Sequence, residues 1–250
     1  MILKKPSTLI IIFVLVAAAL FMLPAPAYAD VADTFVTNMF GEDATTIDIV
    51  LLMTVLSLLP SILIMLTAFT RIIIVLSFVR GAIGMQNMPP NQVMIGLALF
   101  LTFFVMAPVF TQINETAYIP YSAGEMERQE FIDTAIIPIR QFMGAQIYNT
   151  DMEFFIEFAG LENISAIEEV PTHVLIPAFI TSEIKRAFQI GFFIYIPFIV
   201  IDMIVASVLM SMGMMMLPPA MISLPFKVLL FVVVDGWQLA IGTLLNSFGS

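Results

Sequence analysis

The amino-acid sequence predicts an all-α integral membrane protein with four apolar segments behind an N-terminal signal. Of its 250 residues, 60% are hydrophobic and only 11% are charged, and the mean hydropathy is +1.04. Soluble domains are less apolar, and about 20 apolar residues are the length that a helix needs to cross a bilayer. The lack of cysteine excludes disulfides and thiol catalysis. A formal charge of -10 argues against binding to nucleic acid.

The N-terminus predicts a cleavable signal peptide over residues 1–29. Lys4 and Lys5 precede the unbroken apolar run 9–23, two prolines then end the helix, and small residues lead to a cleavage site after Ala29. The alternative is an uncleaved first span, for which fifteen apolar residues are short. Cleavage would place the start of the mature chain on the far side of a bacterial inner membrane.

The first two apolar segments predict N-terminal helices and a first helical hairpin within residues 30–110. The first segment, 47–79, has 33 residues and would be roughly 50 Å long as a helix. Pro60 lies inside it and is expected to kink or break that helix. The second segment, 93–110, has the length of one membrane span.

Residues 111–172 are the only extended polar region and predict acidic amphipathic helices. They carry most of the 19 acidic residues of the chain, and apolar residues recur among them at helical spacing. Examples are Phe154, Phe155, Phe158 and Leu161. We expect these apolar side chains to pack on neighbouring helices and the acidic face to be solvated.

The order of the segments also predicts an orientation. Two crossings after a cleaved signal bring the chain back outside, so the mature N-terminus and the acidic region are predicted to be periplasmic. Arg71 and Arg80 then lie at the inner end of the first hairpin, in line with the excess of positive charge on the cytoplasmic side of membrane proteins. Hydropathy alone thus predicts four helices with both ends outside.

The last two apolar segments predict a C-terminal helical hairpin within residues 173–250. They cover 187–217 and 220–248, and Pro218 and Pro219 separate them because proline cannot continue a helix. A methionine-rich loop is predicted between them. Its methionines are Met210, Met212, Met214, Met215 and Met216.

The methionine cluster has three interpretations. Thioethers can ligate Cu(I), but copper-binding methionine motifs lie in exposed polar segments and this cluster ends an apolar helix. Methionine also fills irregular cores. Gly213 and the two prolines instead place the methionines on a bend, where several copies of the chain could form a deformable apolar collar that excludes water and ions. The residues alone leave core and collar equally open.

Three charged residues in the C-terminal hairpin, Asp202, Lys227 and Asp235, are candidates for chemistry or for structure. Charges at membrane depth usually neutralise one another, so pairing of the aspartates with Lys227 is the simplest interpretation. A proton relay through Asp202 and Asp235 would instead make the chain a proton-coupled transporter or channel. An intramembrane aspartyl protease is a third interpretation, although the aspartates lack the glycine-flanked motif of such enzymes.

Other enzyme signals are weak. His173 is the only histidine, which excludes a histidine metal cluster, and its place at the start of a segment predicts a helix-entry residue. The sequence contains no phosphate-binding Gly-x-x-x-x-Gly-Lys loop. We therefore expect no enzyme activity, no cofactor and no metal.

Three sequence blocks carry a resemblance to a known family. They are residues 71–108, 177–219 and 222–240, about 40% of the chain, and include "MPPNQV" and "PAFITSEIKRAFQIG", which are specific in combination. The chain resembles the FliP family of the flagellar type III protein-export gate. Its function would then be that of a pore-forming subunit that conducts unfolded export substrates across the bacterial inner membrane at the flagellar basal body.

The resemblance also implies partners and roles for residues. Family members form a ring of several copies, completed by the membrane proteins FliQ and FliR, within a larger export apparatus. Their apolar segments pair as broken helical hairpins, much of which lies above the bilayer plane. The methionine-rich loop would be the gasket of the channel, which favours the collar. Buried charges would pair helices or subunits; these are Arg71, Arg80, Asp202, Lys227 and Asp235.

Overall fold

A computed structural model describes most of the chain from residue 64 onward. The predicted signal peptide and residues 30–49 lie outside the described residues, as do Pro60 and Met215. Two compact units are distinguished, Met1–Leu63 and Ile64–Ser250. The described residues are 50, 53–54, 57–58, 61–62, 64–85, 88–161, 166–214 and 216–249.

The described residues of the first unit are helical, and the Thr54 hydroxyl donates to the backbone carbonyl of Val50, one turn earlier. The described residues of the second unit form helices joined by turns, with no strand among them, which confirms the predicted all-α class. Its helices are α1 (Phe69–Ile83), α2 (Asn91–Ser122), α3 (Arg128–Gln146), α4 (Asn149–Phe158), α5 (Thr172–Ser211), α6 (Pro219–Val233) and α7 (Gly236–Asn246).

Helix α1 is the centre of the second unit. Its apolar residues are inaccessible to solvent on the face turned to α2, α5 and α7, as at Ile72, Val75 and Leu76. The crossing with α5 is close: a Cβ added to Gly191 would lie 2.5 Å from the ring of Phe78. Glycine is needed there because α1 approaches the backbone of α5.

Within the described residues, two helices each have the length and the apolar composition to cross a membrane, namely α2 with 32 residues and α5 with 40. Helix α2 extends beyond the predicted 93–110 segment, and its last part contains a π-helical turn, Asn114–Tyr118. Helix α5 begins at Thr172, well before the predicted start at residue 187, because its polar first half is held by packing against α3 and α4.

The fourth predicted segment, 220–248, is broken in the structure. Helices α6 and α7 meet at an angle of 65°. Asp235 adopts a left-handed backbone conformation at the junction, with φ of 50°, and such a residue interrupts a right-handed helix. The bent pair is one of the broken apolar segments that the resemblance implied.

The acidic region contains helices α3 and α4, which pack on α5. Phe155 and Leu161 lie against the buried cluster around Phe179, as expected. Phe154 and Phe158 do not: they are 57% and 85% exposed. The expectation that all four apolar residues pack inward was wrong for these two, because they project from the opposite side of the helix.

Candidate functional site

In its described residues, the methionine-rich loop begins with a helix cap and joins two apolar helices. Helix α5 ends with a Schellman motif: the N–H of Gly213 donates to the carbonyl of Met210 and the N–H of Met214 to that of Leu209, both at 3.0 Å. Gly213 has φ of 76°, the left-handed conformation that this motif requires. Pro219 then starts α6. The glycine and the prolines therefore make the bend that the sequence predicted.

The described methionines of the loop are exposed. Met210, Met212, Met214 and Met216 all present their thioethers to the outside, and Met216 is 99% exposed. None of these four packs in the hydrophobic clusters of the chain. These four methionines therefore do not fill the hydrophobic core of the chain.

An ion pair joins α5 to α6 below the loop. The ammonium of Lys227 donates to Asp202 Oδ2 at 2.5 Å, and the hydroxyl of Ser223 donates to Asp202 Oδ1 at 2.5 Å. Lys227 is buried, and the Asp202 side chain is about one-third exposed. Ser223 was not singled out in the sequence, although it lies one helical turn before Lys227 on the same face of α6.

Asp235 is separate from this ion pair. Its side chain is exposed at the bend between α6 and α7, and among the described residues the ammonium of Lys227 pairs with Asp202 alone. The backbone of Asp235 links the two helices at the bend. Its N–H donates to the carbonyl of Val232 in α6, and its carbonyl accepts from the N–H of Leu239 in α7. The structure therefore does not bring the two aspartates together on one lysine.

A second ion pair lies fully inside the protein, between Arg71 of α1 and Glu183 of α5, and both side chains are inaccessible to solvent. Arg71 Nε donates to Glu183 Oε2 at 3.0 Å, and its Nη2 donates to Glu183 Oε1. Nη1 donates to the carbonyl and the hydroxyl of Ser247 at 2.8 and 2.9 Å, and Nη2 also donates to Gln146 Oε1 at 2.9 Å. All five guanidinium donors are thus used.

A second guanidinium lies beside this ion pair. Arg186 Nη1 donates to Gln146 Oε1 at 3.1 Å and to the carbonyl of Ser247 at 3.3 Å, so it shares both acceptors with Arg71. Its guanidinium also lies 4.6 Å from the ring centre of Tyr148. The network joins α1, α3, α5 and the end of α7.

Sequence reasoning named Arg71 but missed Glu183, Gln146 and Arg186. A signal for Glu183 was present, because it is the single acidic residue between 172 and 201, and a buried arginine needs a carboxylate. Gln146 and Ser247 gave no such signal, since polar residues near helix ends are common.

The sequence was compared with models of known protein families, and one family matches the part of the chain that contains these helices. The sequence model of the FliP family covers residues 52–244. The chain belongs to the FliP family. It is 54% identical to the flagellar biosynthetic protein FliP of Bacillus subtilis over 205 residues, which cover 82% of this chain and 93% of that protein. The FliP proteins of Pectobacterium carotovorum and Caulobacter vibrioides are 53% and 49% identical, over 82% and 95% of this chain and 80% and 90% of theirs.

Two other predicted residues have local roles in the FliP-family chain. Arg80 donates to Asn91 Oδ1 at 2.5 Å and to the carbonyl of Pro89 at 3.4 Å, so it links α1 to the start of α2 and contacts no carboxylate among the described residues. His173 is exposed in the first turn of α5. In the described part of the chain, no three acidic or histidine side chains converge on a metal site.

Proposed function

We propose that this FliP-family chain is a pore-forming subunit of the flagellar type III export gate. Several copies form a ring with FliQ and FliR in the bacterial inner membrane, within the larger export apparatus, and unfolded export substrates pass through it. The observation that carries the proposal is the loop of exposed methionines at the tip of the α5–α6 hairpin. Energy for export comes from other proteins.

The mechanism is passive gating by the thioethers. Methionine is unbranched and has three rotatable side-chain bonds, so a ring of such loops can close on itself and can also repack around a chain of changing shape. An apolar constriction excludes ions because it sheds water. The Schellman motif and the prolines hold the backbone of each loop while the side chains move.

In this proposal, the buried charges stabilise the hairpin and do not carry protons. The ion pair between Asp202 and Lys227 fixes α5 against α6, so that the loop is presented at a constant angle. The rival function is a proton-coupled transporter with Asp202 and Asp235 as relay groups. An Asp202→Asn variant separates the two: the rival requires lost transport in an intact assembly, whereas the gate expects impaired assembly or little effect.

The helix surfaces support assembly in a membrane. Long apolar side chains are exposed along α2 and α5, as at Phe100, Phe104, Phe188 and Phe193. A continuous surface of this kind is covered by lipid or by other subunits. It supports the location of the chain in the membrane and its contact with further copies.

Replacing all five loop methionines tests the gasket. We would change Met210, Met212, Met214, Met215 and Met216 to alanine, co-express the variant with its partners, and measure ion leak, complex yield and secretion. A matched control changes Met203 and Met221, which are also exposed but lie outside the loop. The gasket predicts leak from an intact complex in the loop variant alone. Collapse of assembly would make the loop structural, and an intact complex without leak would place the seal elsewhere.

The orientation has its own test. Because the chain has no cysteine, a single cysteine in place of Glu130 can be labelled selectively. A periplasmic acidic region predicts labelling of whole cells by a reagent that does not cross the inner membrane. Labelling that requires membrane lysis would reverse the proposed orientation.

A further inference from the structure

Helix α4 has an exposed outer face that lies outside the buried core of the chain. We propose that this face is a docking surface for another protein that presents lysine or arginine beside apolar side chains. The face consists of Glu153, Phe154, Glu157 and Phe158, and is called here the α4 outer face. Its two aromatic rings stack with centres 5.9 Å apart, and its two carboxylates are exposed beside them.

Neither ring belongs to the buried clusters of the chain, although the Phe154 ring touches that of Phe155 edge-on, with centres 5.2 Å apart. Helix α4 is already anchored by its other side, where Met152, Phe155 and Ile156 pack against the buried cluster of α3 and α5. Phe154 and Phe158 lie one turn apart on the outside of the polar region. Exposed aromatic pairs in a polar surface are typical of interaction sites.

The negative charge of the polar region determines what kind of partner the α4 outer face can bind. In the described part of 111–171, nine carboxylates are exposed, so the region is strongly negative. A basic surface is attracted to it, whereas the anionic surface of a lipid bilayer is repelled. The nine are Glu115, Glu125, Glu127, Glu130, Asp133, Glu153, Glu157, Glu168 and Glu169.

In its described residues, a second copy of this chain offers no complementary basic surface. Of the seven lysines and arginines among the described residues, only Arg128 and Lys185 are exposed. Lys185 already pairs with Asp151 at 3.2 Å and lies 5.0 Å from the ring centre of Tyr148. Arg128 is flanked in sequence by acidic residues. The basic surface therefore belongs to a different protein.

Photo-crosslinking in cells with the complete apparatus tests the docking surface. A photoreactive phenylalanine derivative replaces Phe158, which keeps an aromatic ring at an exposed position, and the crosslinked peptide is identified by mass spectrometry. We expect a segment of another protein that contains lysine or arginine next to apolar residues. Neutralising Glu153 and Glu157 to glutamine should lower the yield roughly fivefold, the effect of two exposed charge pairs.

A matched control places the same photoreactive residue at Phe188, which is 55% exposed on the apolar surface of α5. Its crosslinks should not respond to the two glutamine substitutions. Crosslinks from Phe158 to another copy, to lipid alone or to nothing would overturn the proposal, and so would a yield unchanged by the substitutions. The same derivative at Phe154 repeats the test if the Phe158 variant does not accumulate.

Discussion

Removing the charge of Glu183 is the perturbation for which the structure makes the sharpest prediction. Glu183 and Arg71 are both fully buried, and the carboxylate accepts from two nitrogens of the guanidinium. In a Glu183→Gln variant the side chain keeps its size but loses its charge and turns an NH₂ group toward an N–H donor of Arg71. The guanidinium then stays buried without a counter-charge.

The expected cost is large because water cannot replace the lost partner. Breaking a buried ion pair by removing one member costs about 3–5 kcal/mol. For a folded unit of this size that is a fall in the midpoint of thermal unfolding of roughly 6–20 °C. Lys185 provides the contrast: its side chain is 46% exposed and its pair with Asp151 is 3.2 Å long, so Lys185→Met should cost less than about 1 kcal/mol.

The assay is thermal unfolding of the purified complex in detergent, followed by far-ultraviolet circular dichroism. A double variant, Arg71→Met with Glu183→Met, should recover at least half of the loss, because it removes the fully buried guanidinium together with its counter-charge, although Gln146 and Ser247 lose a donor. A Glu183→Gln midpoint within about a degree of the parent would refute the buried pair. A double variant as unstable as the single would refute the unpaired charge as the cause.

Three further predictions concern the C-terminal hairpin and use the same unfolding assay. Asp235→Gly should leave stability unchanged or raise it by up to about 1 kcal/mol, whereas Asp235→Val should lower it, because φ is 50° there. Gly236→Ala should destabilise by about 1–3 kcal/mol, since its Cβ would lie 2.2 Å from an aromatic ring, while Gly242→Ala meets open space and should not. Asp202→Asn should cost more than Lys227→Met, because it leaves the buried ammonium without a counter-charge, whereas the Asp202 carboxylate is partly exposed to water; equal costs would contradict this.

Part of the fold was predictable because it follows from local patterns. Long apolar segments separated by prolines and polar residues predict helices, and the structure confirms α2, α5 and α6 where such segments lie. Gly213 and the two prolines predict the bend of the methionine loop, since backbone conformation there depends on the residues themselves.

The remaining features depend on neighbours distant in the sequence. Apolar spacing predicted that α4 is amphipathic, but Phe154 and Phe155 are adjacent in the sequence, and only packing against α5 decides which of them is buried. The break at Asp235 also escaped prediction, because one residue in a left-handed conformation interrupts a pattern that reads as continuous.

The sequence by itself determined the class of the protein, its apolar character, its family resemblance and the place of the methionine loop, because composition and short-range spacing decide these. Only the tertiary structure decided the partner of Arg71. Glu183 lies 112 residues away, and the two meet because α1 packs along α5. A buried charge must be neutralised, so a sequence shows that a partner is required, whereas the packing of the helices selects which residue it is.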